Sequence, residues 1–182
     1  MIVHKGTQTI KTKRLILRRF NNDDSKDVFE KWTSSPEVSR FVMKCPHSDL
    51  KETEQLLSEW VNNYADLNFY MWGIIFDDEL IGYICGNELN EEIQSICIGY
   101  CIAKSFWNKG ITTEATKEII NYFFSIGFNR IFSYHNPLNS ASGKVMEKCG
   151  MKFEGRIRGG SMLAGEICDC LQYAILKKDI IA

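Results

Sequence analysis

The sequence predicts an α/β (α+β-like) fold, a mixed central sheet of about seven strands flanked by helices in a single domain. Two observations carry this expectation. Apolar residues recur with a period of two in some stretches and near 3.6 in others, and between Ile93 and Asn136 a strand, a helix and a second strand follow one another directly. That order implies a parallel pair joined by a right-handed crossover, whereas the strand patterns before and after it read as hairpins. With 182 residues the chain is long enough for an ample core, expected as one domain over 1–182 with its core from roughly 13 to 178.

Lys13 to Phe20 reads as the first strand, with Leu15, Leu17 and Arg19 opposite Arg14, Ile16 and Arg18. It stops at Asn21-Asn22-Asp23-Asp24, whose short polar side chains suit a turn and a helix N-cap. A helix through Val28, Phe29 and Trp32 follows and breaks at Ser34-Ser35-Pro36. Pro36 then opens a second short helix through Val38 and Phe41 to Met43, because proline is well tolerated at the first helical position. Ser48-Asp49-Leu50 starts a third, on which Leu56, Leu57, Trp60, Val61 and Tyr64 form one apolar stripe.

Phe69 to Phe76 and Leu80 to Glu88 read as a hairpin about the acidic turn Asp77-Asp78-Glu79. From Ile93 to Ala103 the next strand carries large residues on one face (Ile96, Ile98, Tyr100, Ile102) and small ones on the other (Ser95, Cys97, Gly99, Cys101, Ala103). A row of small side chains suits close approach by a backbone, a helix or a ligand. A helix with Ala115, Ile119, Tyr122, Phe123 and Ile126 inward is closed by Gly127. Then come a strand from Arg130 to Asn136, a helix from Asn139 to Cys149, and a last pair of strands, Met151 to Arg158 and Cys168 to Leu176, joined by a loop from Gly159 to Gly165.

Composition excludes several classes. The net charge is −1 and the basic residues are scattered, so no nucleic-acid footprint is expected. No stretch approaches the ~20 apolar residues of a membrane span, and Met1-Ile2-Val3-His4-Lys5 lacks a signal-peptide core, so the expected location is the cytoplasm. The seven cysteines, Cys45, Cys85, Cys97, Cys101, Cys149, Cys168 and Cys170, contain no C-x-x-C pair and read as reduced structural thiols, with no metal site.

The stretch that suggests chemistry is Lys104 to Thr113. A polar, basic loop ends at Gly110 and delivers a helix N-terminus, where first-turn amides without helical partners and the aligned dipoles favour an anion. A phosphate there would meet Gly110, Ile111, Thr112 and Thr113, with Lys109 adding charge. Most helix N-termini bind nothing, so this signal is weak by itself. The chain has no G-x-G-x-x-G, and Ser142-Gly143-Lys144-Val145 lacks both ends of a P-loop.

A second motif strengthens it. The segment from Asn139 through Ser142, Val145, Glu147, Lys148 and Gly150 to Gly155 resembles the N-x-x-S-x-x-V-x-E-K-x-G-F stretch of the GNAT acyl-CoA N-acyltransferases, with Met151 at the position of the pattern's Phe. Trp107 to Ala115 is similar to the W-G-K-G-Y-A-T-E-A loop of the branch containing the ribosomal-protein N-terminal acetyltransferases, and Lys13 to Arg18 to its opening T-x-R-L-x-L-R strand. The likeness spans nearly the whole chain in order.

The resemblance implies acetyl-CoA as co-substrate. Its pyrophosphate would fall on Asn108, Lys109, Gly110, Ile111, Thr112 and Thr113, and its pantetheine beside the backbone of Cys101 and Ile102. Asn139 becomes a cofactor contact, and Ser142 a hydroxyl near the thioester sulfur. The implied acceptor is a primary amine, a protein N-terminus or a small molecule, acylated by direct attack on the thioester by a monomer or homodimer. The branch often carries a Glu in an E-I-G-Y strand, where this chain has Cys97-Ile98-Gly99-Tyr100. Glu88 on the neighbouring strand is the next carboxylate, a candidate base or a solvated strand end. Tyr134 and His135 are further donors, the latter expected as a hydrogen-bonded structural histidine. The missing Glu, with Asn108 and Thr112 in place of the pattern's Gly and Ala, leaves a non-catalytic acyl-CoA sensing module as the alternative.

Overall fold

In the computed structural model, which describes residues 1–42, 46–163 and 165–181, the strands form one sheet in the order β1-β2-β3-β4-β5-β6-β8-β7. They are β1 (Ile10–Lys11), β2 (Leu15–Arg18), β3 (Tyr70–Phe76), β4 (Glu79–Asn90), β5 (Ser95–Ile102), β6 (Arg130–His135), β7 (Lys152–Leu163) and β8 (Glu166–Leu176). The helices are α1 (Ser25–Val28), α2 (Pro36–Ser39), α3 (Leu50–Asn63), α4 (Ile111–Ser125), α5 (Ser140–Lys148) and α6 (Lys178–Ile181). One strand more than expected is present. β1 has two residues, too few for an alternation to appear in sequence.

Local chemistry sets most boundaries where expected. Asn21 caps a 3-10 turn in a reciprocal capping box with Asp24, and Arg18 forks onto both Asp24 carboxylate oxygens at 2.8 Å. Ser35 caps α2 with Pro36 in its first turn, and Asp49 caps α3. The expected end of the second helix at Met43 lies outside the described residues; α2 itself ends at Ser39. The helix through Trp32 is α1 continued by a wider π turn, Phe29–Thr33. Asp77 and Asp78 both have positive φ, 48° and 62°, the geometry of a tight hairpin turn.

Every neighbouring pair is antiparallel except β5 and β6. One sheet face packs on α4 and α5 through Leu15, Leu17, Trp72, Ile96, Ile98, Ile119, Phe123 and Ile131. The other face is covered by α1 to α3, with Phe20, Val28, Trp32, Leu57, Met71, Ile75, Cys85 and Cys101 packed together. This second layer settles the small-sided strand. Cys101 and Cys85 sit in that cluster, and a side chain at Gly99 would lie 3.1 Å from the Cys85 sulfur. The small face is therefore largely a packing face.

Tyr64 fastens α3 to the sheet. Its buried hydroxyl donates to the Met71 carbonyl at 2.8 Å and accepts from the Phe20 amide at 2.9 Å, and burial pushes its pKa up to about 12. A Tyr64→Phe variant orphans both buried backbone groups and is expected to lose about 1–3 kcal/mol of stability in urea unfolding.

The predicted Gly159 to Gly165 loop is strand as far as Leu163. β7 and β8 run on to Leu163 and from Glu166, with register shifts after Phe153 and Ile157. Asp169 bonds within this hairpin, to Arg156 Nε at 2.7 Å and the Gly159 amide at 2.9 Å. Among the described residues no helix is long and apolar enough to cross a membrane.

Candidate active site

The parallel pairing of β5 with β6 is short. It covers Ser95↔Arg130, Ile96↔Ile131 and Cys97↔Phe132 and stops, although β5 continues to Ile102 and β6 to His135. The phase of the β4–β5 ladder decides which groups face the opening. Ala103 N–H donates to the Ile81 carbonyl directly opposite, so alternate residues Cys101, Gly99 and Cys97 turn their backbone to β4, and Ile98, Tyr100 and Ile102 turn theirs toward β6. Two bonds agree with that phase: Ser133 Oγ donates to the Ile98 carbonyl at 2.7 Å and Trp107 Nε1 to the Ile102 carbonyl at 2.9 Å. A slot thus runs along the edge of β5, presenting the Tyr100 N–H and C=O and the Ile102 N–H. Of the two residues expected beside the pantetheine, Ile102 turns its backbone to this slot and Cys101 does not; Tyr100 turns its backbone there as well.

The slot leads to the start of α4. Gly110 caps this helix in the left-handed region, φ 73°, with no side-chain cap. Among the described residues no hydrogen bond is made by the amides of Ile111, Thr112 and Thr113, and the side-chain atom nearest the position of a Gly110 Cβ is Arg14 Nη2, 3.8 Å away. Asn108 is also left-handed, φ 61°. Glycine fits such a position without strain, and asparagine is one of the few other residues that visits it routinely, so Asn108 keeps the turn that a bulkier residue would disturb. Lys109 Nζ lies 4.9 Å from the Phe106 ring centre, which holds the ammonium beside the loop.

Arg14 and Glu114 tie this tip to β2. Arg14 Nε donates to Glu114 Oε2 at 2.7 Å and Nη1 to the Lys109 carbonyl at 3.2 Å, and Thr12 Oγ1 donates to Glu114 Oε1 at 2.6 Å. Burial works to raise the Glu114 pKa, but the bonds from Thr12 and Arg14 outweigh it and hold the carboxyl below its ordinary value. A depressed acid stabilises the fold above its unfolded pKa, about 4.3, and that contribution is lost as pH falls through the lower folded value. Thermal melts from pH 6 down to about pH 3 are therefore expected to decline less steeply for Glu114→Gln than for the wild type.

On the far side of the slot α5 begins at Asn139. Its Oδ1 accepts from the Ser142 amide at 3.4 Å and its Nδ2 donates to Ser142 Oγ at 3.1 Å. Asn139 therefore caps the helix and orients the serine, whose hydroxyl proton stays available to donate. Tyr100 OH donates to the Ser142 carbonyl at 3.0 Å, bridging β5 to α5, and burial keeps that phenol protonated. His135 differs from its expected role. Its Nδ1 pairs with the Asn136 carbonyl at 2.8 Å, but Nε2 is buried against Gly143 with no hydrogen bond among the described residues.

Glu88 lies beyond the paired end of the slot. An irregularity in the β4–β5 ladder between Asn87 and Asn90 places it in a β-bulge with φ 48°, a device that re-aims a side chain. Tyr134 OH donates to Glu88 Oε1 at 2.7 Å, and burial with that bond keeps the phenol protonated. Glu88 lines a cavity of about 300 Å³ with Asn90, Ile93, Ser95, Arg130, Phe132 and Gln172. Arg130 is neutralised there by Glu154, Nη1 to Oε1 at 2.6 Å, so Glu88 is the uncompensated charge of the lining.

A helix tip with open amides and an unpaired strand edge leading from it can receive a phosphate and an extended amide-bearing arm. Residues 14–152 match the acetyltransferase (GNAT) domain family. The chain belongs to that family. It is 34% identical to "Putative ribosomal N-acetyltransferase YdaF" of Bacillus subtilis over 76% of both chains. It is 32% identical to "Uncharacterized N-acetyltransferase YnaD" of the same organism, over 93% of this chain and 98% of that one. A GNAT-family acetyltransferase of Bacillus anthracis superposes with a TM-score of 0.82 at 26% identity, covering 94% of this chain and 99% of the other. As a GNAT acetyltransferase, the protein transfers an acetyl group from acetyl-CoA to an amine. Among the features that escaped sequence reasoning are the Tyr134 bond to Glu88 and the Ser133 bridge. For Ser133 one signal existed, a small polar residue on the Ile131-Ser133-His135 face of a strand otherwise buried.

Proposed function

We propose that the acceptor is a primary amine, a protein N-terminal α-amine or a small-molecule amine, entering the cavity beside Glu88 and attacking a thioester held at the inner end of the β5–β6 slot. In this reading the pyrophosphate rests on the amides of Ile111, Thr112 and Thr113 within the loop of Asn108, Lys109 and Gly110. The pantetheine amides pair with the slot-facing backbone of Tyr100 and Ile102. Glu88 takes the proton of the attacking ammonium, directly or through a water. Ser142 Oγ, aimed by Asn139, donates to the sulfur as the thiolate leaves. The likeness to YdaF favours the protein N-terminus.

The observation that carries the proposal is the unpaired edge of β5, which connects the uncapped helix tip to Ser142 without interruption by a neighbouring strand. Ser142→Ala is expected to lower kcat about 10²-fold while leaving the Kd for acetyl-CoA within about threefold of wild type, because the hydroxyl acts on charge that develops only in the transition state. Isothermal titration with acetyl-CoA and a turnover assay on an amine panel measure both. An unchanged kcat removes Ser142 from the chemistry, and no heat with acetyl-CoA at millimolar concentration overturns the slot.

A further inference from the structure

The β5–β6 slot has a floor. We infer that the buried Ser133 hydroxyl sets the depth of that slot and confines the enzyme to the shortest acyl donors, acetyl and propionyl, excluding butyryl and longer chains. The inference rests on the proposal that the cofactor arm occupies this slot.

The last backbone pair is Cys97↔Phe132, and the Ile98 carbonyl is the next group of β5 to face the opening. A parallel ladder that continued would fill that carbonyl with a backbone amide of β6. Here a side chain fills it: Ser133 Oγ donates to the Ile98 oxygen at 2.7 Å, with Ser133 only 3% exposed. This bond is the final crosslink between the strands. Further along, Tyr100 OH reaches across the opening from β5 to the α5 carbonyl of Ser142.

Beneath the crosslink, the layer that packs on α4 has no spare volume. Ile96, Ile98 and Ile131 are at most 1% exposed, and a side chain built on Gly86 in the same layer would meet Phe123 at 2.6 Å and Ile96 at 2.7 Å. An acyl group following the arm downward therefore stops between Ser133 and Ser142. Each further methylene must part the strands against a hydrogen bond that is itself buried, and freeing the Ile98 carbonyl leaves a backbone acceptor without a partner. Removing the Ser133 hydroxyl removes that resistance and lets the strands separate one step deeper.

The test is equilibrium binding, which needs no knowledge of the acceptor. Coenzyme A and its acetyl, propionyl, butyryl and hexanoyl thioesters are titrated into wild type, Ser133→Ala and Ser133→Thr. Wild type is expected to bind coenzyme A and acetyl-CoA within about threefold of each other and butyryl-CoA at least about tenfold more weakly, a difference of about 1.4 kcal/mol. Ser133→Ala is expected to bring butyryl-CoA within about threefold of acetyl-CoA, whereas Ser133→Thr, which keeps a hydroxyl, retains the wild-type discrimination. Equal affinity of wild type for acetyl- and butyryl-CoA overturns the inference, as does unchanged discrimination in folded Ser133→Ala. If that variant does not fold, Ser133→Cys, close in size but a weaker donor, must show a reduced discrimination. Failure of wild type to bind coenzyme A at all overturns the slot itself, and with it the reading on which this limit rests.

Discussion

Glu88→Gln is expected to lower kcat/KM about 10²-fold or more for an acceptor amine of ordinary lysine type, and by less than about tenfold for an α-amine. The difference comes from the acceptor. Reaching the neutral amine at pH 7 costs about 4.6 kcal/mol when its pKa is ~10.4 but only about 1 kcal/mol when it is ~7.8. A base is therefore indispensable to the first reaction and helpful in the second. Glutamine preserves the shape, the bulge at φ 48° and an oxygen for the Tyr134 hydroxyl, so a loss reports the missing proton acceptor. Steady-state rates with a lysine-type amine and an N-terminal peptide check it, and equal wild-type rates in the variant with both would remove Glu88 from the mechanism.

Gly82→Ala is expected to cost about 3 kcal/mol of stability, a fall in Tm of about 6–12 °C for a chain of this size. The added Cβ would stand 2.3 Å from the Cys101 carbonyl oxygen and 2.8 Å from the Ile102 Cα. Both are backbone atoms of β5, so no rotamer change relieves the clash and the two strands must move apart. Because β5 is the wall of the slot, the same displacement is expected to weaken acetyl-CoA binding at temperatures where the variant is still folded. Calorimetric melting and titration of the variant separate the two effects. A wild-type Tm would mean that the ladder absorbs the methyl elsewhere.

Much of this architecture is legible residue by residue. The caps at Asn21, Ser35, Asp49 and Asn139 and the acidic hairpin turn at Asp77-Asp78 lie where short-range chemistry puts them. So does the open helix tip at Gly110. The misses share a cause. β1 is visible only through its pairing with β2, and the end of β7 is strand because its partner is, despite Gly159 and Gly160, which read as loop. The small face of β5 invited a ligand, yet α1 to α3 cover that sheet face and the opening lies at the strand's edge.

By itself the sequence determined the order and type of most elements, their caps, and the two motifs by which the protein resembles its family, all consequences of contacts between residues a few positions apart. Tertiary structure alone decided where β5 and β6 part company, which backbone groups of β5 face the opening, that Ser133 closes its floor, and that Tyr134 steadies Glu88 from 46 residues away. Those depend on the phase of one ladder against another and on side chains meeting across the sheet. Neither leaves a period or a local signature in the chain.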